Sequence, residues 1–348
     1  MVRVAVLGAG FMGSTHAKAY AAMPDVEVAA IFAPSPDRGD PLAQEIGSRW
    51  TDDLQAVLAD PSIEAVDICL PTPRHREVTE AALGARKHVL LEKPIALSLE
   101  DARALVRANE ETDRVFMIAH VLRFWSEYVE IARRVAQGEL GAPRSGFASR
   151  RQPFPAWSAL FSRSDLTGGA VIDMMIHDFD ALNWIFGAPQ AVTARGMRNA
   201  RSGGFDQVQV LIDYGDGASA LVDGGMMMPE SYPFSSRLEV LCDEGAMEYS
   251  FRAGGRRVEM GGGVNELTLF PNEGEPLRLA ATQTDPYAAE CAYFLDCIRQ
   301  GMPADRATPA DALQALAVSL AARESLERGG ERVEIQDERT EQQDSGRS

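Results

Sequence analysis

Nowhere in its 348 residues does the sequence run through 18 uninterrupted apolar positions, which excludes a transmembrane helix. Cysteine is scarce: Cys69, Cys242, Cys291 and Cys297 form no CxxC pair. Neither a disulfide framework nor a zinc site is expected, and the thiols read as buried and reduced, as in a cytoplasmic protein. Positive charge is short as well. Against 51 acidic residues stand 34 basic ones, for a formal net charge of −17. Such a surface repels nucleic acid and anionic membranes, so neither is expected as a partner.

Apolar residues, at 45%, and charged residues, at 24%, give the balance of an ordinary globular protein with material for a sizeable core. The length predicts two domains. The opening Met1-Val-Arg-Val-Ala-Val-Leu7 is too short for a secretory hydrophobic region with a cleavage site. It reads as a first β-strand.

Up to about residue 120, short apolar runs alternate with amphipathic segments. Strands are predicted at Val2–Leu7, Val26–Phe32, Ala65–Leu70, His88–Leu91 and Val115–Ala119. Helices fall between them at Met12–Ala22, Asp37–Ile46, Asp53–Ala59, Arg74–Ala85 and Leu99–Glu111. This rhythm predicts an α/β Rossmann-type domain, a doubly wound parallel sheet covering residues 1–122. Past Arg123 strands dominate, with a hairpin signal at Gly215-Asp-Gly217 and another at Cys242-Asp-Glu-Gly245. Residues 123–335 therefore read as an α+β domain with a large, open, mainly antiparallel sheet, closed by helices Pro286–Arg299 and Pro309–Glu327. One face of such a sheet needs a cover, and a second subunit is the natural one. Residues 336–348 read as a flexible polar tail.

Between the first strand and the first helix lies Gly8-Ala-Gly10-Phe11-Met12-Gly13. Gly8 permits a tight turn, Gly10 lets backbone approach a pyrophosphate, and Gly13 allows close helix–strand packing, while the helix start offers free N–H groups. The turn, including Phe11 and Met12, is the predicted binding site for NAD or NADP. An acid that would read the ribose is expected near position 33, yet the sequence there is Ile31-Phe-Ala-Pro-Ser-Pro-Asp-Arg38. Its absence, with Ser35 and Arg38 able to grip a 2′-phosphate, favours NADP; the plainer reading is that these residues start the next helix.

Three features suggest chemistry. Glu92-Lys93-Pro94 follows the strand His88–Leu91, at the sheet edge where active sites of open α/β sheets gather. Lys93 there could polarise a substrate oxygen, although a lone lysine after a strand is more often merely solvated. Asp173 and His177, in Gly168-Gly-Ala-Val-Ile-Asp173-Met-Met-Ile-His177-Asp-Phe-Asp180, share one face if the segment is one helix. The acid would then fix the imidazole tautomer and prepare a proton acceptor; the alternative is a capping or core histidine. His177 with Asp178 and Asp180 is a weak metal signature, and no metal is expected. Pro71-Thr72-Pro73-Arg74-His75 would sit beside the nicotinamide half of the cofactor, or its prolines only end a strand.

Taken together, the motifs resemble those of the Gfo/Idh/MocA family of NAD(P)-dependent oxidoreductases, the group of glucose–fructose oxidoreductase and inositol dehydrogenase. The matching pieces are GAGFMG at 8–13 with His16, PTP at 71–73, EKP at 92–94, DMMIH at 173–177 and the late helix Tyr293–Ile298. The resemblance covers Val2 to about Val333. It implies that Lys93 touches substrate and nicotinamide, that Asp173 and His177 form an acid/base dyad, and that the second domain's sheet makes a homodimer or homotetramer. Cofactor contacts are expected from Pro71, Thr72, His75, Glu92 and Lys93. Val121-Leu122 before Arg123-Phe124 depart from the family's pattern, so His120 and Arg123 are the candidates left in that loop for lining a pocket. Trp157, in the loop Arg150–Arg163, could cover a sugar face, or pack between domains. The expected reaction is hydride transfer between NAD(P) and a secondary alcohol of a sugar, sugar derivative or cyclic polyol. A redox-assisted glycosidase and a non-catalytic nucleotide sensor are the alternatives.

Overall fold

The computed structural model describes residues 1–254, 263–280 and 284–336. The chain divides into two units: Met1–Phe124 with Thr284–Leu313, and Trp125–Gln283 with Gln314–Ser348. A single cut near residue 122 had been expected. The helix Pro286–Gln300, foreseen as part of the second domain, instead packs on the helix Phe11–Ala21 of the first. Its buried side, Cys291, Phe294, Leu295 and Cys297, joins the first unit's core with Val4, Val6, Tyr20 and Leu90.

In the first unit the elements run β1 (Val2–Leu7), α1 (Phe11–Ala21), β2 (Val26–Phe32), α2 (Pro36–Ile46), β3 (Trp50–Thr51), α3 (Leu54–Ala59), β4 (Ala65–Ile68), α4 (His75–Gly84), β5 (His88–Glu92), α5 (Leu99–Glu110) and β6 (Phe116–Ala119). The six strands form one sheet in the order β3-β2-β1-β4-β5-β6, every pair parallel. Helices cover both faces of such a sheet, and β4 and β6 are buried along their whole length, so neither alternates: β6 is apolar throughout and β4 is broken only by the buried Asp67. The strand β3, two residues long, was not foreseen.

The second unit contains α6 (Ser126–Ala136), β7 (Pro143–Pro153), α7 (Ser164–Thr167), α8 (Gly169–Asp173), α9 (Ile176–Phe186), β8 (Ala191–Arg198), β9 (Phe205–Gly215), β10 (Ala218–Met228), β11 (Ser235–Cys242), β12 (Gly245–Arg252), β13 (Val264–Pro271) and β14 (Leu277–Leu279). The helix Pro286–Gln300 is then α10, followed by α11 (Pro309–Glu327) and β15 (Val333–Glu334). A nine-stranded sheet has the order β14-β13-β12-β11-β7-β10-β9-β8-β15, antiparallel except where β10 meets β7. Here the sequence does alternate. Val208, Val210 and Ile212 of β9 are buried, while Leu211 between them is 44% exposed. Leu211 stands opposite Leu221, itself 39% exposed, and Leu221 opposite Phe147. An apolar row thus crosses the outer face. The tail beyond residue 336 lies outside the described residues, and among the described ones no helix is long and apolar enough to cross a membrane.

The segment predicted as one helix from about Gly169 is broken. Helix α8 ends at Asp173, Met174 and Met175 turn the chain, and α9 starts at Ile176. Buried Asp206 of β9 fixes the start of α8: its carboxylate accepts from the Ala170 N–H (3.1 Å), the Asn199 amide (2.9 Å) and the Ser202 hydroxyl (2.6 Å). Asp206→Ala would strand these donors without water. It should cost about 2–4 kcal/mol, read as a lowered denaturant midpoint at unchanged slope; a cost below about 1 kcal/mol would show that α8 is held elsewhere.

Candidate functional site in the nucleotide-binding unit

At the carboxyl end of β1 three backbones meet with almost no clearance. Gly8 has φ +124°, and a Cβ there would lie 2.4 Å from the Cys69 carbonyl oxygen. A Cβ on Gly13 would lie 1.9 Å from the Gly8 oxygen. Gly10 is the opposite case, with nothing within 4 Å of its Cβ position. It starts α1 with no side-chain cap, and no acid occupies the first turn. An open approach, donors left without a cap and the positive end of the helix dipole fit a pyrophosphate. Phe11, at the mouth of this turn, is 62% exposed.

Because β1, β4 and β5 are parallel neighbours, their carboxyl ends open on the same edge as the glycine turn. The turn at Pro71 and Thr72 leaves β4 there, and Lys93 leaves β5 through a cis peptide to Pro94. His75, expected against the cofactor, is buried in a different task. Its Nδ1 lies 2.9 Å from the Pro94 oxygen and its Nε2 2.8 Å from the Leu70 oxygen, so the ring sits between the two turns and in its neutral form donates to one of these oxygens. Burial pulls its pKa down. At the end of β2, Ser35 accepts from the Asp37 N–H as the N-cap of α2, and Arg38 is exposed. Position 33 is a buried alanine whose carbonyl takes the Trp50 indole N–H.

Glu92 was also expected to face the cofactor. It is buried and turns inward instead. Below the glycine turn, His16 of α1 is completely buried among carboxylates from three other elements. Its Nδ1 is 2.9 Å from Asp67 Oδ2; its Nε2 is 3.5 Å from Glu92 Oε1 and 3.8 Å from Glu290 Oε2. Cys69 Sγ donates to Asp67 Oδ1 at 3.1 Å. Burial alone would discharge His16, but the charge and hydrogen bond of Asp67, then Glu92 and Glu290, push its pKa up to about 10. Burial raises the Glu92 and Glu290 pKa values, with His16 opposing. Among the described residues, His16, Asp67 and Cys291 are a group whose ligand atoms converge, within 4.8 Å of one another. The Cys291 thiol is held well above its ordinary pKa by burial and neighbouring acids, and His16 Nδ1 already meets Asp67. All four cysteines are free.

In the second unit Asp173 closes α8 and His177 lies in the first turn of α9, so the one-helix argument for their shared face does not hold. The neighbour of His177 is what anchors α9: Asp178 takes a two-pronged salt bridge from Arg150 on β7, at 2.8 and 2.9 Å, with both side chains buried. Burial raises the Asp178 pKa and Arg150 opposes. Of the loop candidates, Trp157 is 68% exposed and meets Phe161 edge-on, with centroids 5.3 Å apart. In the first unit His120 is buried, and Arg123, 4% exposed, pairs with Asp311 at 3.3 Å.

The cluster around His16 has a measurable consequence. A group whose folded pKa is raised stabilises the fold fully below its unfolded pKa, and that stability drains away as pH climbs toward the folded value. For His16 the window runs from 6.5 to about 10. The melting temperature should therefore fall steadily from pH 6.5 to pH 9.5 in calorimetry. A flat or rising profile would mean that His16 is uncharged.

Residues 2–120 match the model of an oxidoreductase family with an NAD-binding Rossmann fold, and residues 128–248 match the GFO/IDH/MocA C-terminal domain. Scyllo-inositol 2-dehydrogenase (NAD(+)) of Bacillus subtilis is 31% identical over 342 residues, covering 94% of this chain and 95% of its own. The structure of GenD2 from gentamicin A biosynthesis, in complex with NAD, superposes with a TM-score of 0.82 at 27% identity, covering 96% of each chain. A myo-inositol dehydrogenase from Corynebacterium glutamicum gives 0.79 at 25% identity, covering 97% of this chain and 99% of that one. These matches support NAD or NADP as cofactor without carrying the preference for NADP. From the glycine turn through the nine-stranded sheet, this chain belongs to the Gfo/Idh/MocA family of NAD(P)-dependent oxidoreductases.

Proposed function

We propose that the enzyme interconverts a secondary alcohol and a ketone on a sugar, a sugar derivative or a cyclic polyol, with inositols the first substrates to try. The observation that carries this reading is the shared sheet edge: the glycine turn on β1, the Pro71–Thr72 turn after β4 and Lys93 after β5 open side by side. The likeness to the scyllo-inositol 2-dehydrogenase of Bacillus subtilis supports the substrate class. Residues of the turn from Gly8 to Gly13 would hold the pyrophosphate, with Ser35 and Arg38 toward the adenosine ribose. When bound, the nicotinamide supplies the hydride acceptor.

Lys93 places an ammonium against the substrate oxygen and stabilises the negative charge that grows there as the proton leaves. His177 takes that proton as general base, and returns it in the reverse direction. Asp173 orients the imidazole and steadies its charged form. Trp157 offers an apolar ring to the face of the sugar or polyol, and His120 and Arg123 complete the pocket lining.

His177→Ala should lower kcat by about 10²–10⁴-fold, the usual worth of a placed base, and Lys93→Met should do comparable damage. His177→Ala should leave cofactor binding, followed by fluorescence titration, close to wild type. Near-normal turnover of His177→Ala across pH, on the best substrate of an inositol, aldose and glycoside panel, would remove His177 from the mechanism.

The row of Leu211, Leu221 and Phe147 on the outer sheet face supports a homodimer or homotetramer formed through that sheet. Leu221→Glu should then reduce the mass in light scattering toward the 37.8 kDa of one chain. A wild-type protein that is already monomeric would refute the assembly.

A further inference from the structure

Four elements each send one ionisable side chain into the same buried space: His16 from α1, Asp67 from β4, Glu92 from β5 and Glu290 from α10. His16, Asp67 and Glu290 are wholly shielded from solvent, and Glu92 is 6% exposed. Burying so many carboxylates is costly, and well-packed apolar side chains would commonly stabilise as much or more. Stability alone is therefore a poor explanation for the cluster. Its connectivity supplies a better one.

From β4 the path runs by a hydrogen bond from Asp67 Oδ2 to His16 Nδ1 (2.9 Å), then by charge alone from His16 Nε2 to Glu92 Oε1, an ion-pair contact at 3.5 Å without hydrogen-bond geometry. The other oxygen of Glu92 accepts from the backbone N–H of Lys93 at 3.1 Å. The histidine also belongs to the buried stripe Gly13, His16, Ala17 and Tyr20 of α1, one turn below the glycine that closes the phosphate turn. One imidazole thus joins the helix that would receive the pyrophosphate to the peptide that carries the lysine. Tyr20 and Cys291 line the same space, and the Tyr287 ring lies 6.4 Å from the imidazole.

We propose that His16 is a positioning residue for Lys93: by holding the Glu92 carboxylate, it fixes the Lys93 backbone in register with the glycine turn. The proposal rests on the reading of Lys93 as the group that meets the substrate oxygen. His16 touches neither substrate nor cofactor in this scheme. It decides from where the lysine stem departs, and displacements of about 1 Å at such a point can cost on the order of 10²-fold in rate.

His16→Asn keeps a donor toward Asp67 but is too short to reach Glu92, whereas His16→Gln reaches toward Glu92 and gives up Asp67. In the full-length protein, H16N should speed amide exchange of the peptide spanning Lys93 by about tenfold or more, with β2 and β9 peptides unchanged. Its kcat should drop by about 10–100-fold, with KM and the cofactor dissociation constant within about threefold. H16Q should recover much of both signals. E92Q, which leaves the His16–Asp67 pair intact, should reproduce the H16N effects, and the double variant should be no worse than either single one.

Wild-type exchange at Lys93 together with wild-type kcat in folded H16N would overturn the proposal. So would uniformly faster exchange with additive losses, the mark of a merely structural residue. Should H16N not fold, E92Q alone decides by the same two readouts. If the wild-type enzyme turns over nothing in the substrate panel, the dehydrogenase reading falls, and the exchange data still decide whether His16 holds the Lys93 peptide.

Discussion

Three backbone segments meet at the carboxyl end of β1 where no side chain fits, and much of the first unit follows from that collision. A Cβ on Gly13 would overlap the Gly8 oxygen, and one on Gly8 would overlap the Cys69 carbonyl. Glycine at both points lets α1 begin directly at the end of its strand, so the donors at the helix start face the sheet edge rather than solvent at large. The same contact draws β4 against β1, and the next parallel strand, β5, delivers Lys93 to that edge. Phosphate binding and lysine placement are thus two consequences of one packing constraint.

Buried charge does similar work in both units. His16 draws Asp67, Glu92 and Glu290 together beneath the glycine turn, and Arg150 grips Asp178 beside His177. Each arrangement spends solvation that apolar packing would have kept, yet each is directional, which apolar packing is not. A bidentate guanidinium allows α9 little rotation against β7. Asp206 fixes the start of α8 in the same manner, through three hydrogen bonds. The candidate dyad therefore lies on two short helices, each with its own polar tether to the sheet.

Local pattern revealed the parts of the fold that depend on local pattern. The strand Val2–Leu7 and the helix Pro309–Glu327 have the boundaries that periodicity predicts. The hairpin signal at Gly215-Asp-Gly217 likewise falls between paired strands, β9 and β10. Two features depend on distant partners and left no such trace. The segment from about Gly169 through His177 reads as one helix because nothing local marks the turn at Met174–Met175, where the Met175 N–H reaches back to the Ala170 oxygen at 2.9 Å. Helix α10 has an amphipathic pattern that suits either unit, and only its packing against α1 assigns it to the first. The site divides likewise. The glycine turn and Lys93 are contiguous motifs and were legible, whereas His16, Asp67, Glu92 and Glu290 are spread over 275 residues of sequence, from 16 to 290, and only the tertiary fold brings them together. Glu92 and His75 were recognised as important for a different reason from the one the structure gives.

On the proposed reading, selection between the two nicotinamide cofactors would fall to the end of β2, where the usual acid is absent. Ala33 is buried and its carbonyl is engaged by the Trp50 indole. Position 33 itself offers no carboxylate to a 2′-hydroxyl, and the nearest acid in sequence is the exposed Asp37 in the first turn of α2, beside Arg38. Ser35 has one lone pair committed to the start of α2, although its own proton remains available to a phosphate or a hydroxyl alike. If the adenosine ribose lies at this edge, as proposed, the exposed guanidinium of Arg38 is the group that would favour a 2′-phosphate. Attraction between an exposed cation and a phosphate in high dielectric is modest and weakens with salt. An edge built this way discriminates by a small margin. A strong preference for either cofactor would need contacts from beyond the end of β2.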